Sequence, residues 1–217
     1  MPNLPSRTTP GDAMRVHGSV LPEEGRGVRA CRMTCLLALL LACAAGPMPV
    51  QAMPSPPPAS PAVSLEYAVK ATYLYKLAPF VNWPAQEFAT PDAPFRICVV
   101  GDDPFGDFLE NAVAGRRFGN HPFEVRRLDT LTPDANCQIA FLGHVPSQGV
   151  AQALEAVKGR SVLTVLDSNV PDRGGIIQFV IAQGRVRFEI DTAAAARNHL
   201  TISSKLLNLA LVVRPPP

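Results

Sequence analysis

Phe95-Arg96-Ile97-Cys98-Val99-Val100-Gly101-Asp102-Asp103-Pro104-Phe105-Gly106 is the stretch on which the fold class turns. Its first six residues are apolar except for Arg96, rich in β-branched side chains and strand-like in length. They read as a strand buried on both faces. Gly101 then lets the chain turn. Asp103 followed by Pro104 is the chemistry of a helix N-cap with proline at the first helical position. The spacing predicts a helix over Phe105–Ala114, stopped at Gly115.

The alternation continues outward in both directions. Upstream, Tyr67, Ala71, Leu74, Ala78 and Val81 recur at four-and-three spacing, one apolar stripe of a helix that Pro79 shortens or kinks and Trp83-Pro84 ends. Downstream, Phe123–Leu128 is a more polar strand suited to a position near an edge, and Cys137–Leu142 is a buried strand. Val145–Lys158 is a helix with Val150, Leu154 and Val157 on one face, and Ser161–Leu166 is another buried strand. Gly174-Gly175 opens Ile176–Ala182, which Gln183-Gly184 joins to Arg185–Asp191 as a β-hairpin. In its second arm Val186, Phe188 and Ile190 face one way, and Arg185, Arg187, Glu189 and Asp191 the other. Thr192–Arg197 forms a short helix. Ser203–Val213 reads as a closing helix with Leu206, Leu209, Ala210 and Val213 inward. That helix is apolar nearly all round, so it is either sandwiched in the domain or turned toward a partner or second copy. The order gives an α/β fold, a mostly parallel sheet covered by helices (Rossmann/flavodoxin-like) with a C-terminal β-hairpin and closing helix.

The ends of the chain read differently. Arg29 and Arg32 precede a dozen mostly apolar residues, Thr34 to Ala45, followed by Gly46-Pro47. This is the pattern of a secretory signal peptide, with small residues placed for cleavage after Ala52. The run is shorter than the roughly 20 residues a membrane span needs. Residues 1–52 are therefore expected to be leader and signal peptide, with translation starting at Met1, Met14 or Met33. Leu40-Leu41-Ala42-Cys43 partly resembles a lipoprotein box that would anchor a lipid on Cys43, although Leu41 fits it poorly. Residues 53–62 are a proline-rich spacer, and residues 63–214 form the compact domain. The leader takes five of the 20 basic and three of the 18 acidic residues, which leaves 15 of each in the remainder. A charge-balanced domain has no basic stripe for phosphate backbones, and nucleic-acid binding is disfavoured. Beyond the leader only Cys98 and Cys137 remain. Two cysteines in an oxidising compartment suggest one disulfide, the plain alternative being two buried thiols. In a flavodoxin-like order their strands are neighbours, which favours the bridge.

No catalytic set emerges. Gly101–Gly106 stands where doubly wound sheets bind ligands, but it lacks the G-x-G-x-x-G spacing that admits a pyrophosphate. A phosphoacceptor site would keep the acidic pair Asp102-Asp103 but needs a further aspartate where the sequence has Leu142-Gly143-His144. A helix cap with solvated carboxylates is the plain reading. His121, His144 and His199 show no metal-ligand spacing, no serine sits in a G-x-S-x-G elbow, and no metal or cofactor is called for. Arg185, Arg187 and Glu189 line one hairpin face, usually only a solvated face and otherwise a partner-binding edge. Asp102, Asp103 and His144 at strand ends are the ligand-binding residues of an alternative, a periplasmic small-ligand-binding domain.

Taken as a set, Val69–Lys76 with Phe80–Pro84, Ile97–Gly106, Cys137–Phe141, Leu163–Val165, Gly174–Ile177, Arg185–Asp191 and Ile202–Leu207 resemble the YfiR family in consistent order from about Leu65 to Val213. The resemblance implies a dimeric periplasmic repressor that binds the periplasmic domain of a membrane diguanylate cyclase, lowering cyclic di-GMP and biofilm formation. Cys98 and Cys137 match a family disulfide pair. A second cysteine pair of some relatives is absent from Glu155–Gly175, and Asp191 replaces a common asparagine. The expectation is thus an exported regulator rather than an enzyme.

Overall fold

The computed structural model describes residues 61–215. The leader, the possible lipid site at Cys43 and most of the spacer lie outside them. Helix α1 (Pro61–Leu77) is followed by a 3-10 turn (Ala78–Phe80) and β1 (Val81–Asn82). Then come β2 (Phe95–Val100), α2 (Phe108–Val113), β3 (Arg117–Phe118), β4 (His121–Leu128), β5 (Ile139–Leu142), α3 (Val150–Ala156) and β6 (Leu163–Leu166). The chain finishes with β7 (Ile177–Ala182), β8 (Arg185–Asp191), α4 (Thr192–Arg197), β9 (Thr201–Ile202), α5 (Ser204–Leu207) and β10 (Val212–Arg214).

Eight strands form one sheet in the order β10-β8-β7-β6-β5-β2-β4-β3, and β1 pairs with β9 apart from it. The inner run β4-β2-β5-β6-β7 is wholly parallel. This is the flavodoxin-like order, and it makes β2 and β5 neighbours as the sequence suggested. The hairpin adds β8 antiparallel to β7 from Ile177↔Ile190 to Ala182↔Arg185.

Strand alternation divides the core in two. Phe95, Ile97 and Val99 point to the same side as Ile139, Phe141, Leu163 and Val165, where Tyr67, Ala71 and Leu74 of α1 and Leu109 of α2 cover them. Cys98, Val100, Ala140, Leu142 and Leu166 point to the other side, under Val150 and Ala153 of α3. Each large apolar side chain removed from water contributes about 1.5–3 kcal/mol. Truncating the fully buried Leu74 to alanine should therefore cost about 2–5 kcal/mol.

Four predicted elements change. The first helix stops at Leu77, because Pro79 cannot continue the hydrogen-bond ladder, and Val81 leaves the helical stripe to pair with Ile202. The helix predicted to begin at Phe105 begins at Phe108. Asp103 Oδ1 accepts a hydrogen bond from Phe105 N at 2.8 Å, closing a local turn, and Gly106 sits at φ +51°, outside helical space. The helix expected over Val145–Lys158 is confined to Val150–Ala156 behind Gly149 at φ +80°.

The largest change is the closing helix, which shrinks to the single turn α5. Ser203 caps that turn by accepting from Lys205 N. The chain then extends, and Leu211 N donates to Phe188 O at 2.8 Å before β10 pairs in parallel with Glu189–Asp191. The open side of β8 offers backbone partners that a surface helix of leucines would leave unsatisfied. Leu206 is buried as expected, but Leu209 and Val213 are exposed rather than inward.

Candidate functional site

Cys98 lies on β2 opposite Ala140, Cys137 lies just before β5, and a disulfide joins them with a Cα–Cα separation of 5.9 Å. That distance is ordinary for a bridge. Both residues are buried, so the bond is a fixture of the core and not an exposed reactive pair.

The loops at the carboxyl ends of β2, β5 and β6 meet in a crevice. Gly101 takes φ +80° and donates its N–H to Leu128 O, while Asp102 N donates to His144 O at 2.9 Å. A Cβ on Gly101 would stand 2.3 Å from His144 O, so only glycine permits the two loops to approach this closely. Asp102 and His144 come together, the carboxylate accepting at 2.8 Å from Nδ1 of an imidazolium or of the matching neutral tautomer. Both side chains are about 70% exposed or more, which makes the pair weak.

Asp103 is not part of that group. It turns back to Phe105 N and accepts from Arg127, whose guanidinium also reaches Glu110 and Gly106 O. The hydrogen bond from Arg127 holds the Glu110 carboxyl below the usual carboxylate range, and the two carboxylates raise the guanidinium in turn. This cluster clamps α2 against β4 and is structural.

Beneath the crevice lies a buried ionic group that the sequence reading did not single out. Lys70 of α1 is fully buried, and its ammonium reaches Asp167, Glu66 and, at 2.8 Å, Ser168 Oγ. Tyr67 donates its hydroxyl to Asp167 Oδ2 at 2.8 Å, and Ser168 N donates to Oδ1. Burial, with Asp167 accepting the proton, pushes the Tyr67 hydroxyl well above the usual tyrosine range. A serine beside a lysine is a nucleophile–base arrangement in some hydrolases. Here the ammonium is spent on two carboxylates and has no lone pair with which to take the Ser168 proton. One signal could have exposed the group: Lys70 lies beside Ala71 and one turn before Leu74, on an otherwise apolar helix flank where a cation must find a buried partner.

Between these walls is an open cavity of about 360 Å³, lined among others by Tyr67, Asp102, His144, Val150, Asp167 and Asp172. No group of three or more His, Cys, Asp or Glu among the described residues is placed to hold a metal ion. No described helix is long and apolar enough to cross a membrane. On the hairpin, Glu189 accepts from Arg173 and Arg214, so it is occupied within the domain. Arg185 and Arg187 have no carboxylate partner among the described residues, and Arg185 is exposed. The structure thus separates the hairpin residues into an internal anchor and two free cations.

The sequence model of the YfiR/HmsC-like family matches residues 67–211. The chain belongs to this family. In this YfiR/HmsC-like chain the matched span opens at Tyr67, a wall of the crevice, and closes at Leu211, one residue before β10. It therefore takes in the buried ionic group from Tyr67 on, both cysteines and the hairpin. No curated protein sequence matches the chain.

Proposed function

We propose that this chain is an exported, non-catalytic regulator that binds the periplasmic domain of a membrane diguanylate cyclase and holds it inactive, lowering cyclic di-GMP and biofilm formation. The observation that carries the reading is the YfiR/HmsC-like match across residues 67–211. The apolar segment behind Arg29 and Arg32 supports export, with residues 1–52 as leader, 53–62 as spacer and 63–214 as the working domain. A core disulfide suits the oxidising periplasm. The reading treats the protein as a homodimer that meets its partner through the free cations Arg185 and Arg187. Glu189, tied to Arg173 and Arg214, supports the strand that presents them.

Deleting the gene should raise cyclic di-GMP and surface attachment, and the exported chain, but not a leaderless one, should restore both. Unchanged cyclic di-GMP in a host that possesses a cyclase with a periplasmic domain would reject the reading. Reversing both charges, Arg185→Glu with Arg187→Glu, should abolish retention of the cyclase from solubilised membranes without moving the thermal midpoint.

A further inference from the structure

The strand-end crevice is not accounted for by a surface that meets another protein. We propose that it binds a small amphipathic cation, an amine bearing an apolar body, with the ammonium toward Asp102 and Asp172 and the body over Val150 and Val170.

Position, shape and charge point the same way. The crevice lies outside the carboxyl ends of parallel strands, between β2 and β5 where the strand order reverses, which is where sheets of this kind receive ligands. Its volume of about 360 Å³ falls within the range of small-molecule sites. Its walls are fixed in advance. Asp102 N is bonded to His144 O, Asp167 N donates to Leu142 O, and Gln178 Nε2 donates to Asp167 O at 2.7 Å. A ligand would therefore have little loop ordering to cover.

The charge is one-sided. Asp102, Asp167 and Asp172 line the cavity with no lysine or arginine, and its one basic side chain, His144, is paired with Asp102 through an exposed, weak contact. Lys70 offsets Asp167 from below but is shared with Glu66, so that buried group keeps a net negative charge. Asp172 has no ion-pair partner among the described residues and is exposed at the mouth. Carboxylates on a concave wall of low polarizability focus their field into the cavity, favouring cations and repelling anions. Val145, Val150, Val170, Pro104 and Pro171 give the wall an apolar part, whose side chains offer no hydrogen bonds, beside the polar Tyr67, His144 and Asn169. An inorganic cation would leave that surface wet, whereas an amine with a hydrocarbon body uses both halves.

Binding here is independent of which protein the outer surface meets, and it can be tested on the exported chain alone. Calorimetry and thermal shift would compare benzylamine, benzyl alcohol and benzoate, one ring carrying positive, neutral and negative charge. Benzylamine should bind saturably and about tenfold more tightly than either analogue, a factor that two exposed carboxylates acting together can supply. Asp102→Asn and Asp172→Asn should together weaken benzylamine about tenfold and leave the ligand-free midpoint in place. Should the double variant fold poorly, Asp172→Lys at the exposed mouth decides: it should reverse the preference toward benzoate. Absence of benzylamine binding, equal binding of the three probes, or benzylamine affinity unmoved by Asp172→Lys overturns the proposal.

Discussion

Lys70→Met removes a charge that the structure has placed fully out of water while keeping most of the side chain's volume. The cost follows from what is left behind. Asp167 has a side chain only 5% exposed and loses its cation, while Glu66, at 26% exposed, can recover some water. Breaking a buried pair by deleting one partner costs about 3–5 kcal/mol. Asp167 keeps the hydrogen bonds from Tyr67 and Ser168 N, which places the expected loss near the lower end, about 3 kcal/mol. For a domain of this size, with a urea dependence of about 2 kcal/mol per molar, the midpoint should fall by about 1.5 M. The second half of the experiment isolates the charge. Adding Asp167→Asn to Lys70→Met removes the stranded carboxylate, and the double variant should recover about 1 kcal/mol or more relative to the sum of the two single losses. Urea unfolding followed by circular dichroism measures all four proteins. A loss below about 0.5 kcal/mol for Lys70→Met, or strictly additive losses, would refute the assignment of Lys70 as the charge that holds α1 to the β6 strand end.

Reduction of the Cys98–Cys137 bridge, which closes a sequence separation of 39, should lower stability by about 4 kcal/mol on the chain-entropy view. Urea midpoints with and without reductant read the change, and an unaltered midpoint counts against the bridge. Thiol labelling of the denatured, unreduced protein should find neither cysteine free. Gly101→Ala drives a Cβ to 2.3 Å from His144 O at φ +80° and should cost at least about 2 kcal/mol, seen as a lower thermal midpoint. Arg127→Ala should cost only about 0.5 kcal/mol through Glu110, since both groups are more than two-fifths exposed. Arg127 depresses the Glu110 carboxyl, so this contribution is complete above the ordinary carboxylate range and is lost as pH falls through the lowered value. The Arg127→Ala penalty in urea should accordingly shrink below about pH 4, and a penalty that grows there contradicts the pairing.

The parts of the fold that were legible in the sequence are those whose partner does not matter to the pattern. Phe95–Val100 is buried on both faces wherever it lies in the sheet, and the hairpin arms around Gln183-Gly184 carry their own partner. The short helix Thr192–Arg197 also reads locally, because Asp191 caps it by accepting from Ala194 N. Ser203–Val213 failed for the opposite reason. Leucine or valine at six of the eight positions from Leu206 to Val213 fits a buried helix and an edge strand equally, and the choice was made by the vacant side of β8 about 20 residues upstream. The crevice was half legible. Asp102 and His144 were found from their place after apolar strands, whereas Asp103 was drawn away by Arg127, a residue on another strand. Lys70 and Asp167 stand 97 positions apart, and no local spacing signals a pair that only the packing of α1 across the strand ends creates.

One margin of the sheet is closed by only three residues of chain. Val212–Arg214 pair in parallel with Glu189–Asp191, and among the described strands β10 alone covers that side of β8. Wherever that short strand is detached, the margin stands bare and adhesive toward any other extended chain. A substitution that breaks this pairing therefore opens the sheet to added strands, even where it leaves every residue of the crevice in place.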